Sequence, residues 1–262
     1  MDSDRGESIV GNESTMPRDD DPAYAPKLLR LLPVFSCTHN GVRRTVAPLP
    51  ERVLSYLAVA YPTWVSRDAV IEACQLDGTG DPRARLRQIC WLLRSRLGFD
   101  PIVGDRQRIG ISPTCRVDHH AAQQWCQLLL DQGYAEPVVR AVPNWLVPAL
   151  SHPLLVDWSW DDAWLQPVQS RWDVLRRETM DRLSGSLLAS GRHQQALICA
   201  HALIQQDPLR ETAWEVLIEA LIRSGQRGEA RAQFDRLTSM LSAELGVDPS
   251  DSAHRLIADL YR

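Results

Sequence analysis

A chain of 262 residues, 44% hydrophobic and 24% charged with a net charge of −4, is long enough for two domains with separate cores. No apolar run approaches the ~20 residues that cross a bilayer, so no membrane association is expected, and the acidic start MDSDRGESIVGNESTMPRDDD is no signal peptide. Cys37, Cys74, Cys90, Cys115, Cys126 and Cys199 are scattered without a CxxC pair, which fits reduced thiols in a cytoplasm better than a disulfide framework or a zinc site.

The charge is unevenly spread. Residues 1–26 carry two basic and seven acidic side chains, residues 27–116 fourteen and seven, and residues 117–262 thirteen and nineteen. A block of net +7 inside an acidic chain marks a polyanion-binding domain.

In chain order, residues 1–26 read as a disordered acidic tail, rich in Asp, Ser and Gly and poor in large apolar groups. From Lys27 the text LLRLLPVFSC turns β-like and passes Asn40-Gly41, a strong hairpin signal, into VRRTVAP. A small antiparallel sheet follows, with Pro33 at an edge or bulge. Pro50 opens a helix whose Val53, Leu54, Leu57, Ala58 and Tyr61 recur at helical spacing. Trp64-Val65 is long enough for one β-bridge only. Ser66 then caps a helix, SRDAVIEAC, with Ala69, Val70, Ala73 and Cys74 inward.

The stretch Pro82 to Leu97, PRARLRQICWLLRSRL, holds five arginines in sixteen residues. At helical spacing Leu86, Ile89, Cys90, Leu93 and Leu97 fall on one buried stripe. Arg83, Arg87 and Arg94 line one flank, Arg85 and Arg96 the other, and Gln88 and Trp91 look outward. A helix anchored in this way suits a DNA major groove. PIVGDRQRIGI then makes two β-prone runs about a Gly-Asp turn, with Arg106 and Arg108 at the tip. Sheet, three helices and hairpin is the order of a winged helix-turn-helix domain over 27–116.

The rest, 117–262, reads as all-α. DHHAAQQWCQLLLDQ is a helix with Asp118 at its N-cap. His119 and His120 are neighbours on that helix and point apart, so they read as surface histidines and no metal site. An irregular, proline- and tryptophan-rich stretch follows, whose Trp158, Trp160 and Trp164 fill the junction between the domains. Beyond it Ser190-Gly191 recurs as Ser224-Gly225, Ala196 as Ala230, Leu183 as Leu217 and Leu188 as Ile222. The offset is 34 residues each time, the tetratricopeptide period. Asp207-Pro208 recurs only after 41 residues, as Asp248-Pro249, so the second B helix should be longer by about two turns. Such an array is an interaction scaffold.

RARLRQICWLLRSRLG resembles the recognition helix of SARP/AfsR-type bacterial transcriptional activators. The segments PLRE, SGQRGEA and AELGVDPS resemble their bacterial transcriptional activator domain. The resemblance runs from about Leu28 to the C-terminus. It implies an OmpR-type winged helix followed by a tetratricopeptide-like domain, binding promoter direct repeats as a homodimer and recruiting RNA polymerase. Three departures stand out. Position 85 is Arg where relatives often have Asn, Leu92 stands where they often have Arg, and the first 26 residues have no counterpart, which makes Met16 a second candidate start. No GxxxxGK[ST] loop occurs, so the NTPase domain of larger relatives is not expected.

The function expected is that of a sequence-specific regulator of double-stranded promoter DNA. Arg87 suits guanine O6/N7, Gln88 suits adenine N6/N7, and Trp91 suits a thymine methyl or sugar. Arg67, Arg83, Arg85, Arg94, Arg106 and Arg108 are expected on phosphates. A second reading is a protein-interaction adaptor whose winged helix no longer reads DNA. The residues show no nucleophile elbow, partnered carboxylates or phosphate loop, so neither an enzyme nor a cofactor is expected.

Overall fold

Seven short strands and eleven helices follow one another among the residues described by the computed structural model, 21–22, 25–78 and 80–258. The architecture is mostly α. The tail expected over 1–26 lies almost wholly outside the described residues. No helix among them is long and apolar enough to cross a membrane.

The chain opens on a four-stranded sheet of order β3-β2-β1-β7. Antiparallel β1 (Lys27–Arg30) and β2 (Ser36–His39) are followed by β3 (Val42–Arg44). The turn between β2 and β3 places Asn40 at φ 50° and Gly41 at φ 76°, the pair of left-handed residues a tight hairpin needs. Pro33 lies in the β1–β2 connection, outside the ladder. The fourth strand, β7 (Arg116–Val117), returns from the far end of the domain and runs parallel to β1. Its two residues carry no alternation to read. The boundary expected between 116 and 117 falls inside it.

Between these strands lies the helix-turn-helix. α1 (Pro48–Ala60) starts two residues before the expected Pro50, because Pro48 itself tolerates the first turn. β4 (Val65–Ser66) makes two register pairs with β6 (Arg108–Ile111), where one bridge was expected. In α2 (Arg67–Ala73) the Ser66 hydroxyl accepts from the Ala69 N–H at 3.1 Å, the predicted cap. α3 spans Pro82–Leu97, the predicted bounds, between an Asp81 cap and Gly98 at φ 74°. Its Leu86, Ile89, Leu93 and Leu97 are buried with Val53, Leu54, Leu57 and Val70 in one core. β5 (Ile102–Gly104) and β6 form the wing, β4 completing its three-stranded sheet.

The helical part begins with α4 (Asp118–Gln132), where the sequence reading needs two corrections. The cap residue is Val117, and Asp118 is the first helical residue. Its carboxylate accepts from the backbone N–H groups of Leu31 at 2.8 Å and Leu32 at 3.2 Å, so it ties β1 to α4. Burial outweighs these donors and pushes its pKa up to about 6. His119 and His120 are not surface residues. His119 is buried with its ring 4.9 Å from that of Trp172, and burial pushes its pKa down to about 3. His120 is half-buried against Tyr61. The stretch expected to be irregular holds two short helices, α5 (Glu136–Ala141) and α6 (Leu146–Leu150).

The repeat is visible at the level of single hydrogen bonds. α7 (Leu165–Ala189) and α8 (His193–Gln206) are joined by Gly191 at φ 78°, and α9 (Glu211–Arg223) and α10 (Arg227–Glu244) by Gly225 at φ 77°. The N–H of Gly191 donates to Leu188 O and that of Arg192 to Leu187 O; 34 residues on, Gly225 donates to Ile222 O and Gln226 to Leu221 O. Both turns close in one way because both need a left-handed residue there. The second B helix is longer by one turn, not two: α8 has 14 residues and α10 has 18. The other three extra residues, Leu245–Val247, lie in the connection to α11 (Asp251–Ala258).

The two parts meet over a buried ion pair. Arg52 on α1 and Asp162, in the segment before α7, are bonded together with side chains 4% and 0% exposed. Trp158 donates its indole N–H to Asp162 at 3.0 Å, and the Arg52 guanidinium lies 4.6 Å from the Trp160 ring centre. Trp164 packs edge-on against Tyr56. The tryptophan cluster thus packs between α1 and the segment before α7. Leu155 and Val156 also donate backbone N–H groups to Leu31 O and Pro33 O. Removing one member strands the other charge in the interior. Asp162→Ala should therefore lower unfolding stability by about 3–5 kcal/mol in urea titrations, while Asp161→Ala, an exposed neighbour that bonds Gln75 only through its backbone carbonyl, should change it by under about 0.5 kcal/mol.

Candidate nucleic-acid interface

α3 hides one face and shows the other. The core takes Leu86, Ile89, Leu93 and Leu97, with Cys90 half-buried. Arg87 and Gln88 are exposed, and Trp91 keeps 64% of its surface in solvent. Among the described residues nothing covers this indole, although its helix is otherwise anchored in a core.

The wing turn is built to hold a fixed shape. Asp105 Oδ1 accepts from the N–H groups of Gln107 at 2.7 Å and Arg108 at 2.8 Å, and these bonds hold its pKa below the ordinary carboxylate value. Arg67 at the start of α2 donates through Nε and Nη2 to the Asp105 carbonyl at 3.0 and 2.8 Å. It therefore clamps the wing to the helix-turn-helix. Beside the wing turn only glycine fits position 104, because a Cβ there would come 2.3 Å from the Arg108 carbonyl oxygen.

Between α3 and the wing lies an open cleft of about 440 Å³ lined by Arg67, Arg83, Leu86, Arg87, Asp105 and Arg106. Four of the nine expected contact residues thus share one concavity. The other five are distributed around it. Gln88 and Trp91 lie on the outward face of α3. Arg85 folds back onto the α2–α3 loop, where its Nη1 would meet a Cβ at Gly78 within 2.6 Å. Arg94 is ion-paired with Asp100 beyond the end of the helix. Arg108 is exposed on β6.

The expected residues left out a set of carboxylates. Asp68 holds Arg83 with both oxygens, at 2.9 and 3.0 Å. Asp81 holds Arg87 at 3.5 Å, and Asp100 holds Arg94. Asp81-Pro82 at the head of an apolar-periodic run is a readable cap signal, but nothing local tells that the free oxygen of the cap meets Arg87. At the opposite flank of α3, Leu92, Leu93 and Arg96 line a second, apolar groove of about 420 Å³ with Thr45, Val46, Ala47 and Pro50. Leu92, where relatives of the resembling family often carry Arg, is one wall of it.

Residues 131–260 match the bacterial transcriptional activator domain. The chain is 25% identical over 258 residues to the regulatory protein AfsR of Streptomyces griseus, an alignment covering 95% of this chain and 26% of that protein. It is 24% identical over 243 residues to the transcriptional regulatory protein MoaR1 of Mycobacterium tuberculosis, covering 82% of this chain and 72% of the relative. The chain thus spans about a quarter of the AfsR length and about three quarters of MoaR1. The solved structure of Mycobacterium tuberculosis EmbR in complex with a low affinity phosphopeptide shares the fold, with a TM-score of 0.54 at 21% identity over 90% of this chain and 65% of that one.

The Gly104 contact gives a local test of the wing. Gly104→Ala should cost about 1–3 kcal/mol of local stability. The check is hydrogen exchange: the Arg108 and Ile109 amides should exchange faster while the amides of α8 and α9 keep their protection.

Proposed function

Since this chain belongs with the SARP/AfsR-type bacterial transcriptional activators, we propose that it is a non-enzymatic, sequence-specific regulator that reads double-stranded promoter DNA with α3 and steadies it with the wing. The observation that carries this reading is the division of α3. Leu86, Ile89, Leu93 and Leu97 hold it in the core, Gln88 and Trp91 are presented to solvent, and Arg87 opens onto the same cleft as the wing's Arg106. A helix so seated enters a major groove with its outward residues on base edges. In this reading Arg87 and Gln88 recognise guanine and adenine, and Trp91 covers a thymine methyl or sugar. Arg67, Arg83, Arg106 and Arg108 take phosphates, as do Arg85 and Arg94 once released from Gly78 and Asp100.

The helical part carries association and recruitment. It is acidic, −6 over 117–262, so phosphates repel it, and stacked helical repeats present a surface for protein partners. Two copies of the chain on a direct repeat, contacting RNA polymerase through this part, complete the proposal.

The experiment is selection of bound sequences from a random duplex library with the full chain, followed by gel shifts on the enriched site. Enrichment of one motif arranged as a direct repeat supports the reading; recovery of unselected sequence would end it. On the enriched site, Gln88→Ala should cost ~1–3 kcal/mol at one base position only, whereas Arg106→Ala should weaken all duplexes alike. Half-sites should lie about one helical turn, ~10–10.5 bp, apart. Inserting half a turn between them should abolish cooperative binding, and inserting a whole turn should restore part of it.

A further inference from the structure

Three of the arginines offered to DNA are held by carboxylates, Arg83, Arg87 and Arg94, and the way each is held differs. Arg83 is gripped by both oxygens of Asp68, a residue of α2. Arg94 is held by Asp100, beyond the helix. Arg87 is held from within α3's own cap: Asp81 Oδ1 accepts from the Arg83 N–H at 2.9 Å, and its Oδ2 lies 3.5 Å from Arg87 Nη2. Because one carboxylate both starts the helix and meets Arg87, the Arg87 guanidinium is referenced to the frame of α3 itself.

We infer that Asp81 is a specificity-determining residue, a positioning carboxylate that holds Arg87 for bidentate contact with a guanine edge and keeps it from binding phosphate indiscriminately. The inference rests on the DNA-reading function proposed above. Its chemistry follows from the geometry of guanidinium contacts. An unheld arginine meets any phosphate within reach, since phosphates line the whole duplex and attract it without regard to sequence. One planar face of donors fits guanine O6 and N7 only in a fixed orientation. A carboxylate on one hydrogen of Nη2 restricts that orientation and leaves the other Nη2 hydrogen and Nη1 for the base. It also neutralises the charge that would otherwise add to nonspecific binding. Both side chains are largely exposed, 64% for Arg87 and 59% for Asp81, so the pair contributes little to folding stability. Its consequence is confined to binding.

Asp68 makes the comparison. Its partner Arg83 opens the same cleft but is held from α2, and Arg83 is assigned to phosphate. Releasing Arg83 should strengthen binding to every sequence. Releasing Arg87 should strengthen binding to the wrong sequences and weaken it to the right one.

The test uses the full chain, the duplex enriched by selection and a scrambled duplex of equal length. Asp81→Asn and Asp81→Ser both keep an N-cap oxygen and remove the charge, so neither should move the melting temperature appreciably. Both should reduce the ratio of specific to nonspecific affinity about tenfold, the size of one weakened base contact. On the scrambled duplex the slope of log affinity against log salt should steepen by about 0.9, one additional phosphate contact. Asp68→Asn should steepen that slope equally and leave the ratio near its original value. An unchanged ratio and slope in both Asp81 variants would overturn the inference and leave DNA reading intact. So would a ratio falling alike in the Asp68 and Asp81 variants. Failure of the unsubstituted chain to distinguish the two duplexes would instead overturn the reading on which the inference rests.

Discussion

A guanidinium in a protein interior must be paired, and Arg52 is paired across the domain junction. It sits on α1, the helix that packs on both α3 and the wing strand β6, and its partner Asp162 belongs to the segment that leads into the helical repeats. The pair therefore fixes one part against the other through the helix that seats the recognition helix. A buried pair is not in itself better than apolar packing, but a misplaced partner leaves a bare charge in the interior, so the penalty falls on every wrong arrangement. Trp160 over the guanidinium and the Trp158 N–H on Asp162 narrow the choice further. Asp118 acts likewise from the other side, holding the Leu31 and Leu32 amides of the first sheet from the first turn of α4. The winged helix and the repeats meet through bonds that neither could make alone.

This coupling matters for a regulator. Basic and acidic charge are segregated in sequence, +7 over 27–116 and −6 over 117–262, and the Arg52–Asp162 pair joins the two parts. A change of packing at Trp164 or Tyr56 reaches α1 directly, and α3 through α1. The proposed DNA-facing side carries its own restraint, because Asp68, Asp81 and Asp100 each meet one arginine there. In the proposed reading these carboxylates moderate the attraction of the arginines to any polyanion.

What was legible in the sequence was what repeats locally. α3 can be placed from Pro82 to Leu97 because its apolar residues recur at helical spacing after a turn-rich segment. The wing followed from two β-prone runs about a turn, and the tetratricopeptide pair from one offset carried by Gly191 and Gly225. What was not legible was long-range. Arg52 and Asp162 are 110 residues apart, and Asp118 looks like an ordinary cap until the Leu31 and Leu32 amides are brought to it. His119 looks like a surface residue until Trp172 covers it. β7 and β4 are two residues each, too short for any period. Of the interface, residue types and rough positions were readable, but which arginines share the cleft depended on the wing turn and on aspartates contributed by other elements.

In the proposed reading α3 reads base edges while the wing holds the backbone. A crystal structure of the full chain on its selected duplex tests it most directly. It should show α3 in the major groove with the Arg87 guanidinium within hydrogen-bond distance of a guanine O6 and N7, Gln88 on a neighbouring base, and Arg106 on a phosphate. A duplex held by the helical repeats, or one lying across the wing with α3 outside the groove, would contradict it.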